Sequence, residues 1–152
     1  MYRIEGLERE PFEALFAMSD AELAERRAMR TVAVGPGYPC RISLEEAELG
    51  EPLVLVNHVS NDVETPFRAR HAIYVRRGVE RGRYTDAVPP IFATRTLGLR
   101  GFDAGGMLRG ALLAPPGEAD AKIRALFEQP AIAEIHAHTA ALGCFLARIE
   151  RN

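Results

Sequence analysis

Two runs of strict alternation near the C-terminus, "AEIHAHT" (133–139) and "CFLARIE" (144–150), constrain the fold of this chain most. Side chains on a strand alternate between faces, and a one-residue slip moves every one of them to the wrong side. The apolar residues of both runs must therefore share a face, which predicts a β-hairpin over about 131–150. A loop of 139–143 would set Ala137 against Phe145, Ile135 against Ala147 and Ala133 against Ile149. On the polar face it would set Glu134 against Arg148, His136 against Leu146 and His138 against Cys144. Glu134 and Arg148 are opposite charges, which favours this register. Shorter loops of the same parity satisfy the faces equally well.

The rest of the pattern reads as an α+β single domain over 1–152, with a helical N-terminal segment over 1–30 and a sheet-containing core over 31–152. "EPFEALFAM" is a short helix with Pro11 in its first turn, where a missing N–H is harmless. Ser19 with Glu22 three residues later is a capping box that opens a second helix. "PLVLVNH" is a continuous apolar strand, and "HAIYVRR" is an alternating one with His71, Ile73 and Val75 on one face. "SLEEAELG" reads as one helical turn opened by Ser43. The clearest helix, about 118–128, lies between two strands and implies a strand–helix–strand crossover. The sheet is expected to be mixed and mostly antiparallel.

Composition narrows the function classes. A net charge of -2 argues against a general nucleic-acid binder, since phosphate neutralisation needs a cationic surface. No run of about eighteen apolar residues is present, so a membrane partner is not expected. The first ten residues lack the apolar stretch of a signal peptide, and two cysteines do not make a disulfide framework. A reducing cytoplasm is the expected setting. No cofactor is expected, because "GFDAGG" lacks dinucleotide or P-loop spacing, and GxSxG and HExxH are absent.

Eighteen of the nineteen basic residues are arginine, and six of those lie between Arg68 and Arg83. A guanidinium matches carboxylate and phosphate geometry, so an anion site is one reading. A GC-rich genome is the other.

The chemistry-bearing candidates are Cys40, His138 and Cys144 for a reaction, and Arg41, His58, His71 and His136 for ligand binding. A cysteine beside a histidine or an arginine ionises more readily and becomes nucleophilic. Zinc held by His136, His138 and Cys144 is an alternative, set against a default of no metal. Each also has a structural reading, as a packed thiol or a hydrogen-bonded histidine.

The stretches "GYPCR", "GEPLVLVN", "FRARHAIYVR", "FDAGGML" and "GCFLARIER" together resemble the bacterial domain of unknown function 1203 (DUF1203) family, over roughly residues 30–151. Its Pro-Cys-Arg motif maps to Pro39, Cys40 and Arg41, and its Gly-Cys to Gly143 and Cys144. The family pattern continues past Pro-Cys-Arg with a histidine and a second cysteine, where this chain has Ile42 and Ser43. The departure weakens a Cys/His metal cluster at that motif. The resemblance implies a bacterial origin and no particular activity.

Three functions follow. The first is a small-molecule enzyme or binding protein in which Cys40, Arg41, His138 and Cys144 converge on a small anionic ligand. The second is an interaction module or homodimer using the arginine-rich loops. The third is a redox thiol pair, Cys40 with Cys144.

Overall fold

The computed structural model describes residues 1–152. The first part of the chain runs β1 (Tyr2–Glu5), α1 (Glu10–Glu13) with a 3-10 turn behind it (Ala14–Ala17), α2 (Asp20–Glu25), β2 (Ala28–Val32), β3 (Pro52–Asn61), β4 (Ala69–Arg76) and β5 (Arg83–Thr85). It continues with α3 (Pro90–Ala93), β6 (Leu97–Phe102), β7 (Leu108–Ala114), α4 (Ala119–Phe127), β8 (Glu134–Thr139) and β9 (Phe145–Arg151). The strands form a six-stranded sheet in the order β5-β1-β9-β8-β6-β7 and a three-stranded sheet in the order β2-β3-β4. This is the expected α+β domain.

The expected crossover is β7–α4–β8. Because β6 pairs antiparallel with both β7 and β8, those two strands run parallel with β6 between them. Every ladder is antiparallel, and parallel pairing is confined to an isolated Cys40–Tyr74 bridge. No helix is long and apolar enough to cross a membrane.

The N-terminal segment departs from the helical expectation. Helix is confined to residues 10–25, including the capping box of Ser19 and Glu22. Residues 2–5 instead form a strand inserted between β5 and β9, and β2 starts at Ala28. Four residues are too few for alternation to show, although Tyr2 and Ile4 are both fully buried. The sheet also divides in two, which local pattern does not reveal.

The helical turn expected at 43–50 does not form, and the chain instead turns just before it, over 40–44. Leu44 N–H donates to the Cys40 carbonyl over 3.0 Å, and Leu44 has a φ of 60°. A branched residue in that region costs on the order of 1–2 kcal/mol. The cost is offset by burial, because Cys40 to Leu44 are all buried. Leu44 enters a 17-residue core between the large sheet and α4, while Cys40 and Ile42 enter a 10-residue core under the small sheet. The turn rivets the two cores together and fixes Arg41 between them.

The C-terminal hairpin forms, with a register different from the expected one. Ala137 faces Ala147, Ile135 faces Ile149 and Glu134 faces Glu150, two residues along from the expected pairing. The ladder is irregular at its tip, where His138 faces Phe145 instead of Cys144. Leu146 is thus an extra residue on β9, and both Leu146 and Ala147 join the large core. Phe145 is released onto the histidine face, 5.7 Å from the His136 ring and 5.9 Å from that of His138. The reason is burial: a regular ladder would leave Leu146 on the polar face. Glu134 and Arg148 still share a face, 3.6 Å apart.

Candidate functional site

The two faces of the large sheet differ in chemistry. One carries Leu99, Ile135, Ala137, Ala147 and Ile149 and packs against α4 as part of the large core. Across the other face a cross-strand row runs Arg100–His136–Arg148–Glu5. In the small sheet, His58 and His71 are direct cross-strand partners, in line with Val56–Ile73 and Val54–Val75. The apolar face of that sheet thus turns into histidine at one end, and there the sheets meet. The rings of His71 and His138 touch edge to face, with centroids 5.0 Å apart.

Histidine geometry fixes much of the local chemistry. His136 is 1% exposed, and its Nε2 lies 2.9 Å from Glu134 Oε1. That bond holds the Glu134 carboxyl below the usual carboxylate range. His138 is buried too, with Nδ1 3.1 Å from the Gly143 carbonyl, which makes Nδ1 the donor and leaves Nε2 a bare acceptor. That Nε2 has no hydrogen-bond partner. Burial depresses the His138 pKa to about 4. Burial also lowers the values of His58 and His71. His71 Nδ1 lies 2.6 Å from Ser60 Oγ.

Arg41 stands at the centre of this layer. It is 3% exposed, its Nε donates to the Phe145 carbonyl over 2.7 Å, and its Nη1 donates to that of Pro39 over 2.5 Å. No carboxylate pairs with it, and Nη2 has no protein partner. Desolvation lowers its pKa to about 10, so the group keeps its charge at neutral pH. A buried charge without a counter-charge is costly. Arg41 lies on the wall of a cavity of about 270 Å³, with His58, Ser60, Phe145 and Arg148.

The other charges of that wall are compensated. Arg3 pairs with Glu150 at 2.7 Å, Arg81 with Glu5 at 2.9 Å and with Glu8, and Asp62 with Arg68 at 2.9 Å. Gly6 closes one side: its N–H donates to the Gly82 carbonyl over 2.9 Å, and a Cβ on it would lie 1.8 Å from the Ile42 oxygen.

The structure thus brings Arg41, His58, His71, His136 and His138 into one inter-sheet layer. Cys40 is turned away from it. It is fully buried in the small core, and its Sγ accepts from the N–H groups of Ile42 and Arg76, each over 3.4 Å. Cys144 is half-buried in the hairpin loop beside Phe145, and its N–H donates to Thr139 Oγ1 over 3.0 Å. Both thiols are free. No group of three or more His, Cys, Asp or Glu side chains is arranged to hold a metal ion. Five of the six arginines between 68 and 83 are engaged within the chain: Arg68, Arg81 and Arg83 with acids, Arg70 with Asn57, and Arg76 with Glu51 at 2.9 Å.

Sequence reasoning missed Ser60, because "VSND" reads as a loop. The signal was its position two residues beyond His58, which keeps the alternation of the apolar strand. It also missed Phe145 on the histidine face, which only the irregular ladder places there.

Two all-antiparallel sheets, α4 against the far face of the larger one, and a histidine–arginine layer where the sheets meet define this class of α+β protein. The family model described as Protein of unknown function (DUF1203) matches residues 37–151. The chain belongs to that family. No curated protein and no solved structure matches it.

Proposed function

We propose that the chain is a small-molecule enzyme or binding protein whose inter-sheet cavity takes a small anionic ligand, with Arg41 as its anchor. The observation that carries this reading is Arg41 itself: a buried guanidinium without a counter-charge, one nitrogen free of protein partners, on the wall of a cavity. An incoming carboxylate or phosphate would supply the missing charge through charge-assisted hydrogen bonds. The neighbouring charges are already paired, so the cavity has one unmet electrostatic demand. His58 on the same wall is neutral at pH 7 and offers a polar edge. Two unpaired cysteines fit a cytoplasmic setting.

Thermal melting with a panel of small carboxylates and phosphate esters tests the reading. A ligand at 100 times its Kd should stabilise the wild type by about 2.7 kcal/mol. Arg41→Met should abolish that gain. A wild type that responds to no member more than to sodium chloride, or an Arg41→Met protein that responds equally, overturns it.

A further inference from the structure

We propose that Ser60, on the wall of the Arg41 cavity, is a nucleophile and that His71 behind it is its general base, forming an acyl-transfer dyad. Ser60 lies at the irregularity in the β3–β4 ladder between Val59 and Asn61, and such bulges re-aim side chains. Its Oγ is 2.6 Å from His71 Nδ1 on the next strand, within the reach of a nucleophile–base pair. A longer contact, 3.3 Å to the Ala69 carbonyl, is the alternative acceptor for the same proton. With Ser60 Oγ–H donating to His71, Nδ1 is the base and Nε2 carries the imidazole proton.

The surroundings suit this role. Burial, together with the charges of Arg100 and Arg41, keeps His71 neutral and able to accept a proton at pH 7. The His71 ring is held edge to face against His138, which is itself fixed by the Gly143 carbonyl. Ser60 and Arg41 line the same cavity.

The reaction balances without a cofactor. Ser60 Oγ attacks an ester carbonyl and an Oγ–C bond forms. The Oγ proton passes to His71 Nδ1, the bond to the alcohol oxygen breaks, and the departing alkoxide takes that proton. Water then attacks the acyl-serine with His71 again as base, releasing the acid and restoring Ser60. The substrate class, a small ester that also carries a carboxylate or phosphate, rests on the Arg41 reading. The nucleophile does not.

The test is labelling of the native protein with an uncharged alkyl fluorophosphonate, in which an Oγ–P bond forms and fluoride leaves, followed by peptide mass spectrometry. The expected result is an adduct on Ser60, absent in Ser60→Ala and slowed by roughly 100-fold or more in His71→Gln. The wild type alone decides the matter: a folded protein without an adduct on Ser60 overturns the proposal. An equal rate in a His71→Gln protein that keeps the native melting profile overturns the dyad. The two readings fail separately. A protein that takes the label without any anion-induced melting shift refutes the substrate class, and one that shows the shift without the label refutes the nucleophile.

Discussion

The large sheet has one face built for stability and one that works against it. Toward α4, Leu97, Leu99, Ile135, Ile149 and Ile123 are all fully buried among aliphatic neighbours. Toward the small sheet, the same strands bury His136 and His138 against Phe102 and Phe145, with Arg41 across the gap. Each apolar side chain on the first face contributes roughly 1.5–3 kcal/mol by leaving water. Each polar group on the second loses hydration that its partners only partly replace. A layer that gives up stability while keeping an unpaired arginine and an unpartnered imidazole is the place to look for function.

That contrast predicts a graded set of responses. The largest belongs to the contact that holds the two faces' surroundings together. Gly6→Ala drives a Cβ into the Ile42 carbonyl, and chemical denaturation should show a loss of about 3 kcal/mol or more, at the upper end for overpacking. Ile123→Ala, on the aliphatic side, should cost about 2–5 kcal/mol in the same measurement. A value below about 1 kcal/mol would mean α4 is not a main prop of the large core.

The histidine face should reveal itself through pH. The folded pKa of His138, about 4, lies below the ordinary value near 6.5, so the unfolded chain binds more protons between these limits. The His138 contribution is therefore fully present above about pH 6.5, falls as pH drops and is gone below about pH 4, a change on the order of 3 kcal/mol. Urea melts across that window should show the slope, and His138→Gln should reduce it to the part that His58 and His71 contribute.

A smaller effect is expected at Arg41. Arg41→Met removes an uncompensated buried charge but leaves the Phe145 and Pro39 carbonyls without their donors. The two changes oppose one another, so stability should move by less than about 2 kcal/mol while anion-induced stabilisation disappears. The smallest is at the rim. Glu150→Gln weakens a solvent-accessible pair with Arg3 and should change stability by less than about 1 kcal/mol, as double-mutant cycles on such pairs find.

Much of the fold was legible. The capping box at Ser19, the α4 stripe of Ile123 and Leu126, and the hairpin faces apart from Phe145 and Leu146 follow from local periodicity, which acts over a few residues. Of the site, Arg41 and the four histidines were legible as residue types with chemistry to offer, but their meeting was not. His58 and His71 come together through a ladder between strands, and His138 reaches them only because one sheet packs on the other. Ser60 was hidden because "VSND" carries turn residues, and only the ladder shows that β3 runs on through it.

The sequence alone determined which residues alternate, where helices are capped, and that the chain carries a family motif around Cys40 and Arg41. Local steric and hydrophobic preferences are enough for that. Tertiary structure alone decided that Leu146 enters the core and releases Phe145, that "CRISL" is a buried rivet instead of a helix start, and that Arg41 has no acid beside it. Those outcomes depend on which of several locally equivalent arrangements buries the most apolar surface once both sheets are in place, and no short stretch of sequence contains that comparison.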